Sequence, residues 1–211
     1  ILIAVIFSSL FINDTISLFF YLAAYLSFSL YSIPPFRFKN RGYFGLVADA
    51  SGAHLFPSLF IISSISHYMN VPVNWYLIII VGIWSFAYGL RGILWHQFWD
   101  RENDMSINHK TFATETDSSA IKRLEIIIII IEILALFFIL SDLGIITIIA
   151  LFCYVLILLG YQKLNIKTII FISSKGEWQV LMTDFYLTLL PVSLIITCSI
   201  KNPLNLILLI F

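Results

Sequence analysis

The stretch "NWYLIIIVGIWSFAYGLRGILWHQFWDRENDMSINHK", Asn74 to Lys110, decides how the chain is read. Its first part is apolar except for Arg91 and is long enough for the ~20 residues a helix needs to cross a bilayer. The second part is crowded with charge: Asp100 and Asp104 stand four apart, with Arg101 and Glu102 between them and His96 and His109 on either side. A membrane span that runs directly into paired carboxylates poses the question whether its polar end does chemistry or only marks a membrane exit.

The same pattern recurs along the chain. Of 211 residues, 60% are hydrophobic and only 11% charged, with a mean hydropathy of +0.98, well outside the range of water-soluble domains. Apolar runs against polar breaks predict spans at 15–33, 43–65, 74–96, 120–140, 143–161 and 177–199, with a partial span over 1–12. The fold class expected is all-α: a polytopic transmembrane bundle of about six full spans and one partial span, forming one domain over 1–211. The chain starts at Ile1 in mid-span, without the basic region and small-residue cleavage site of a signal peptide, so it reads as incomplete at its N-terminus.

Charge gives the orientation. The 12 basic and 12 acidic residues balance, so no basic field recruits nucleic acid. The cations nevertheless cluster at alternate connections, near 36–42, 97–119 and 162–176, and the positive-inside rule assigns those loops to the cytoplasm. Cys153 and Cys198 fall within apolar runs, where cysteine behaves as a small hydrophobe.

Three groups of residues carry possible chemistry. If the 74–96 helix continues past the membrane, Asp100 and Asp104 share one face, with His96 one turn back. Two carboxylates that close repel by roughly 1–4 kcal/mol, and a divalent cation relieves the repulsion. Oxygen ligands on a hydrated helix end suit Mg²⁺ shared with a phosphate-bearing substrate. The plainer alternative is a solvated helix end marking a membrane exit. The second group is "YSIPPFRFKNRG", Tyr31 to Gly42, where Arg37, Lys39 and Arg41 follow a rigid Pro-Pro step. These cations either clamp a diphosphate or simply anchor the loop beside lipid headgroups. The third group is ionisable residues within spans: Asp49 and His54, Arg91, Glu132, and Glu177 with Asp184. Such groups are costly in lipid and normally face a cavity or a partner.

Taken in order, "YSIPPFRFKNRGYFG", then "DREND" two spans later, then "TFA" resemble the UbiA superfamily of intramembrane prenyltransferases. The resemblance covers essentially the whole chain, with the partial first span matching the family's third helix and its first two helices lying upstream. It implies that Asp100 and Asp104 bind Mg²⁺ bridged to the diphosphate of a prenyl donor. Arg37, Lys39 or Arg41 would hold the phosphate oxygens, and Tyr31 would sit near the reacting carbon. An unknown acceptor follows, with Asp49, His54 and Asp184 as weaker candidates for its contacts; Arg91 and His96 are taken as substrate-binding residues from their own positions, within a span and on the Asp100 face. One departure stands out: the family's first aspartate motif is absent, since "NDTISLFFY" has no later Asp. An inactive relative, a secondary transporter using intramembrane acids, a transition-metal oxidase around His96 and an assembly subunit are the rival readings.

Overall fold

The computed structural model describes residues 14–164 and 181–209 and, outside those stretches, residues 3, 6–7, 168–169, 172 and 178–179. The expected partial span over 1–12 and Glu177 therefore lie largely or wholly outside the described residues. The chain packs as two compact units, residues 1–136 and 137–211.

In the first unit, α1 (Thr15–Ser32) begins where the Asp14 carboxylate accepts the Ser17 N–H at 3.2 Å, a side-chain N-cap that satisfies an otherwise orphaned donor. It ends just before Pro34-Pro35, because a helix cannot continue through proline. A short 3₁₀ turn, Phe38–Asn40, leads into α2 (Tyr43–Tyr68). A π-helical stretch at Ser51–Leu55 interrupts α2, and the Phe56 N–H donates to Ser51 O, five residues back. Pro57 follows at once. Proline lacks an N–H and clashes with the carbonyl four residues earlier, so the widened turn accommodates it without ending the helix.

The helix α3 (Trp75–Ser106) starts at an Asn74 cap, whose side chain accepts the Leu77 N–H at 3.2 Å. Its 32 residues span about 48 Å at 1.5 Å each, several turns more than the ~30 Å hydrocarbon layer. The expected end near residue 96 is thus too early, and the "DREND" stretch belongs to the same continuous helix. The end is a Schellman motif: Asn108 takes a left-handed conformation (φ 54), its N–H donates to Met105 O at 3.2 Å, and the His109 N–H donates to Asp104 O at 2.8 Å. After the one-turn helix α4 (Phe112–Glu115), closed by a Thr111–Thr114 capping box, comes α5 (Ser118–Leu143).

In the second unit, α6 (Ile145–Lys163) is followed by a two-residue parallel pairing of Thr168–Ile169 with Trp178–Gln179. The next helix, α7, opens as a π-helical stretch, Leu181–Leu189, continues as Leu190–Lys201 with Pro191 at its start, and is followed by a 3₁₀ helix, Pro203–Leu209. Both π-helical stretches therefore precede a proline.

Four helices, α1, α2, α3 and α5, are long and apolar enough to cross a membrane, and two shorter apolar helices, Ile145–Tyr161 and Phe185–Ile200, accompany them. The chain is a membrane-spanning helical protein. Burial is arranged accordingly. On α5, Ile126, Ile127, Ile130 and Ile131 are exposed, as lipid-facing residues should be, whereas Glu125 and Glu132 are fully buried. Interhelical contacts use small and polar residues: the Ser17 hydroxyl donates to Ser63 Oγ at 2.8 Å between α1 and α2. Below it, Phe20, Leu59 and Ile78 form a small apolar core among α1, α2 and α3.

Candidate functional site

Two connections meet at one end of the first unit. His109 Nε2 stands 3.1 Å from Asn40 Oδ1, so the imidazole N–H donates to the amide oxygen and ties the loop after α3 to the bend before α2. The rings of Tyr43 and Phe112 meet edge to face with centroids 6.5 Å apart. Gly42, at φ 51, lies so close to Glu115 that a Cβ there would stand 3.3 Å from Oε2. The cationic bend and the acidic helix end thus share one end of the bundle.

Within the bend, Arg37 is exposed in a left-handed conformation (φ 40). The Arg41 guanidinium donates to Pro35 O at 2.9 Å and so braces the bend itself. Lys39 is half-buried. On α3, His96 and Asp100 form a loose i,i+4 pair, Nε2 to Oδ2 at 3.4 Å, with His96 mostly exposed. The Thr111 hydroxyl approaches Asp104 Oδ2 at 3.5 Å, the outer limit of a hydrogen bond. Because α3 continues through Ser106, the two aspartates share one face of the helix.

Deeper in the same end, Asp49 and Asp104 both act electrostatically on the Tyr31 hydroxyl, and Asp49 interacts in turn with His54 and His96. The π-helical turn explains the first of those links. Residues five apart point to different sides of a regular α-helix, but one extra residue in the turn carries His54 round toward the side of Asp49. His54 packs edge to face against Tyr88 (centroids 4.9 Å), and Tyr88 stacks on Trp84 (5.8 Å). Gly89 makes this possible, since a Cβ there would stand 2.9 Å from His54 Cδ2. Tyr31, Asp49, His54, His96, Asp100 and Asp104 therefore form one polar neighbourhood contributed by α1, α2 and α3.

Beside it lies an apolar pocket of about 290 Å³ between α1 and α2, lined by Tyr21, Tyr25 and Phe28 from one helix and Gly52, Pro57 and Phe60 from the other. Phe28 precedes Tyr31 by one turn, and Gly52 follows Asp49 by one turn. The pocket and the polar neighbourhood are consecutive along both helices.

Two further expected site residues are Arg91 and Asp184. Arg91 is buried, and its guanidinium pairs with Glu132 on α5 in bidentate fashion, Nε to Oε2 at 2.6 Å and Nη2 to Oε1 at 2.8 Å. Its charge is balanced within a buried α3–α5 seam. Asp184 belongs to the second unit, in the π-helical start of α7. One turn along the α3–α5 seam, the Trp95 indole N–H donates to Glu125, a buried acid that the sequence reading passed over. Its only signal was a carboxylate seven residues before Glu132 in an otherwise apolar run.

Among the described residues, no three His, Cys, Asp or Glu side chains gather into a metal cage. Magnesium does not need one: it keeps several waters and takes one or two carboxylates together with substrate phosphates. Half-buried Asp100 and Asp104, oxygen donors on one helix face, fit that requirement. Among the described residues, no nitrogen-rich group of the kind an oxidase needs gathers around His96.

No protein-family model, no curated protein and no solved structure matches the chain.

Proposed function

We propose that the protein is a UbiA-like intramembrane prenyltransferase, moving a prenyl group from its diphosphate to an acceptor with Mg²⁺ assistance. The observation that carries the reading is the Asn40–His109 tie, which puts the cationic bend and the aspartate pair at the same end of one helical unit. An isolated acid pair or an isolated basic loop is ordinary membrane-surface composition. Joined, with an apolar pocket leading away from them, they suit an amphiphile with a polyanionic head.

In this reading Asp100 and Asp104 hold Mg²⁺, which supplies charge neutralisation for the leaving diphosphate. Arg37 and Lys39 take the remaining phosphate oxygens, while Arg41 keeps the bend in shape through Pro35. Breaking the allylic C–O bond sends its electron pair to the diphosphate and leaves a carbocation. Tyr31 stands where the polar head meets the apolar pocket, and the aromatic walls keep water from the cation. Asp49 and His54, linked across the π-helical turn, are placed to receive the acceptor's proton as its nucleophilic atom bonds to the prenyl carbon. The positive-inside assignment makes this end cytoplasmic.

The rival with specific support is a secondary transporter, favoured by the buried Arg91–Glu132 pair and by the two helices carrying π-helical interruptions. Mg²⁺-dependent release of diphosphate from a prenyl diphosphate separates the two. The prenyltransferase reading predicts release by the wild type and its loss in folded Asp100→Ala and Asp104→Ala variants. Undiminished release in both variants overturns the metal assignment.

A further inference from the structure

We infer that the apolar pocket between α1 and α2 seats the isoprenoid tail and selects a donor of about three isoprene units, with the Tyr21–Phe60 pair as its floor. This rests on the prenyl diphosphate reading above and adds to it a chain length. Two separate measures lead to it.

The first is length. Tyr31, at the polar end, and Tyr21, at the far end of the pocket, are ten residues apart on α1, about 15 Å at 1.5 Å per residue. An extended isoprene unit advances about 5 Å along four carbon–carbon bonds of about 1.5 Å. Three units therefore reach from Tyr31 to Tyr21. There the rings of Tyr21 and Phe60 meet with centroids 5.7 Å apart, inclined at 52°.

The second is volume. A dry apolar cavity of about 150 Å³ holds the six carbons of benzene. The 290 Å³ here thus holds about twelve carbons on the same scale, or two isoprene units and a little more. The first unit, whose carbon reacts, stays outside the pocket beside Tyr31. Length and volume agree on a fifteen-carbon donor, about three units in all. At the end nearer Asp49, Gly52 lets the Phe28 ring pack directly on its Cα: a Cβ there would stand 3.2 Å from the ring.

The test is competition by ten-, fifteen- and twenty-carbon prenyl diphosphates for radiolabelled farnesyl diphosphate on the protein in nanodiscs with Mg²⁺, alongside inorganic diphosphate as a head-group probe. The fifteen-carbon donor should compete about tenfold better than the twenty-carbon one, the scale of discrimination an apolar pocket achieves. Phe60→Ala should remove that preference by opening the floor, and Ala24→Leu, which fills the pocket, should move it to the ten-carbon donor. Equal competition by all lengths, or an unchanged order in whichever of the two variants folds, overturns the inference. If inorganic diphosphate still binds with Mg²⁺ in that case, the reaction assignment survives the loss of the pocket. If neither it nor any prenyl diphosphate binds, both fall.

Discussion

Asn40 and His109 lie 69 residues apart in the chain, yet their side chains meet at 3.1 Å. That contact converts two unremarkable loops into one surface, since each flanks one half of the proposed head-group site. Replacing His109 with alanine should raise amide exchange in residues 38–42 and 107–111 together, because each loop is held by the other. Exchange that rises only near residue 109 would mean that the tie holds nothing in place.

The Arg91–Glu132 pair predicts an asymmetric response. Arg91→Met leaves Glu132 buried without its bidentate cation and should cost about 3–5 kcal/mol of stability. The double variant Arg91→Met with Glu132→Leu should recover most of that loss, since an apolar pair of similar volume replaces the buried charges. Thermal unfolding in detergent measures both, and a double variant as unstable as the single one would contradict this account.

Two glycines on α3 should behave differently. A Cβ at Gly89 would stand 3.0 Å from the Ala50 Cα, backbone that cannot turn aside, whereas at Gly82 the nearest atom is a leucine methyl at 3.5 Å. Gly89→Ala should therefore destabilise by about 1–3 kcal/mol through overpacking. Gly82→Ala should be neutral or slightly stabilising, because alanine costs less backbone entropy in a helix. Equal effects in a thermal-shift comparison would argue against the close approach of α2 and α3 at the π-helical turn.

Asp117 gives a pH signature outside the membrane. Hydrogen bonds from the Ser119 hydroxyl and backbone N–H hold its carboxyl below the usual range. A depressed carboxyl stabilises the fold at pH values above its unfolded pKa and loses that contribution as pH falls through the folded value. The protection of the Ser119 to Ile121 amides, measured against the intrinsic exchange rate at each pH, should fall in acid below the ordinary aspartate range. In Asp117→Ala it should already be low at neutral pH, and wild-type protection indifferent to pH would remove the cap.

The four long helices were legible because apolar runs broken by Pro-Pro, Asn and charged clusters are direct consequences of the bilayer as solvent. The end of α3 was not. Charge at "DREND" reports where water begins, whereas the helix ends ten residues beyond His96, where Asn108 adopts the left-handed conformation that closes it. The pairing of Arg91 was hidden for a related reason: its partner Glu132 is 41 residues away, and no spacing within one helix announces a pair between two. The π-helical turn that moves His54 toward Asp49 leaves only a proline as its trace, and the same proline would equally have marked an ordinary kink.

The central claim is that Lys39 of the bend and Asp104 of α3 act on the same diphosphate. A double-mutant cycle on Mg²⁺-dependent binding of a prenyl diphosphate, using Lys39→Ala, Asp104→Ala and both together, tests it most directly. The account predicts that each single variant weakens binding and that the double variant weakens it by less than the product of the two. Purely multiplicative losses, or binding that ignores either residue, would contradict it.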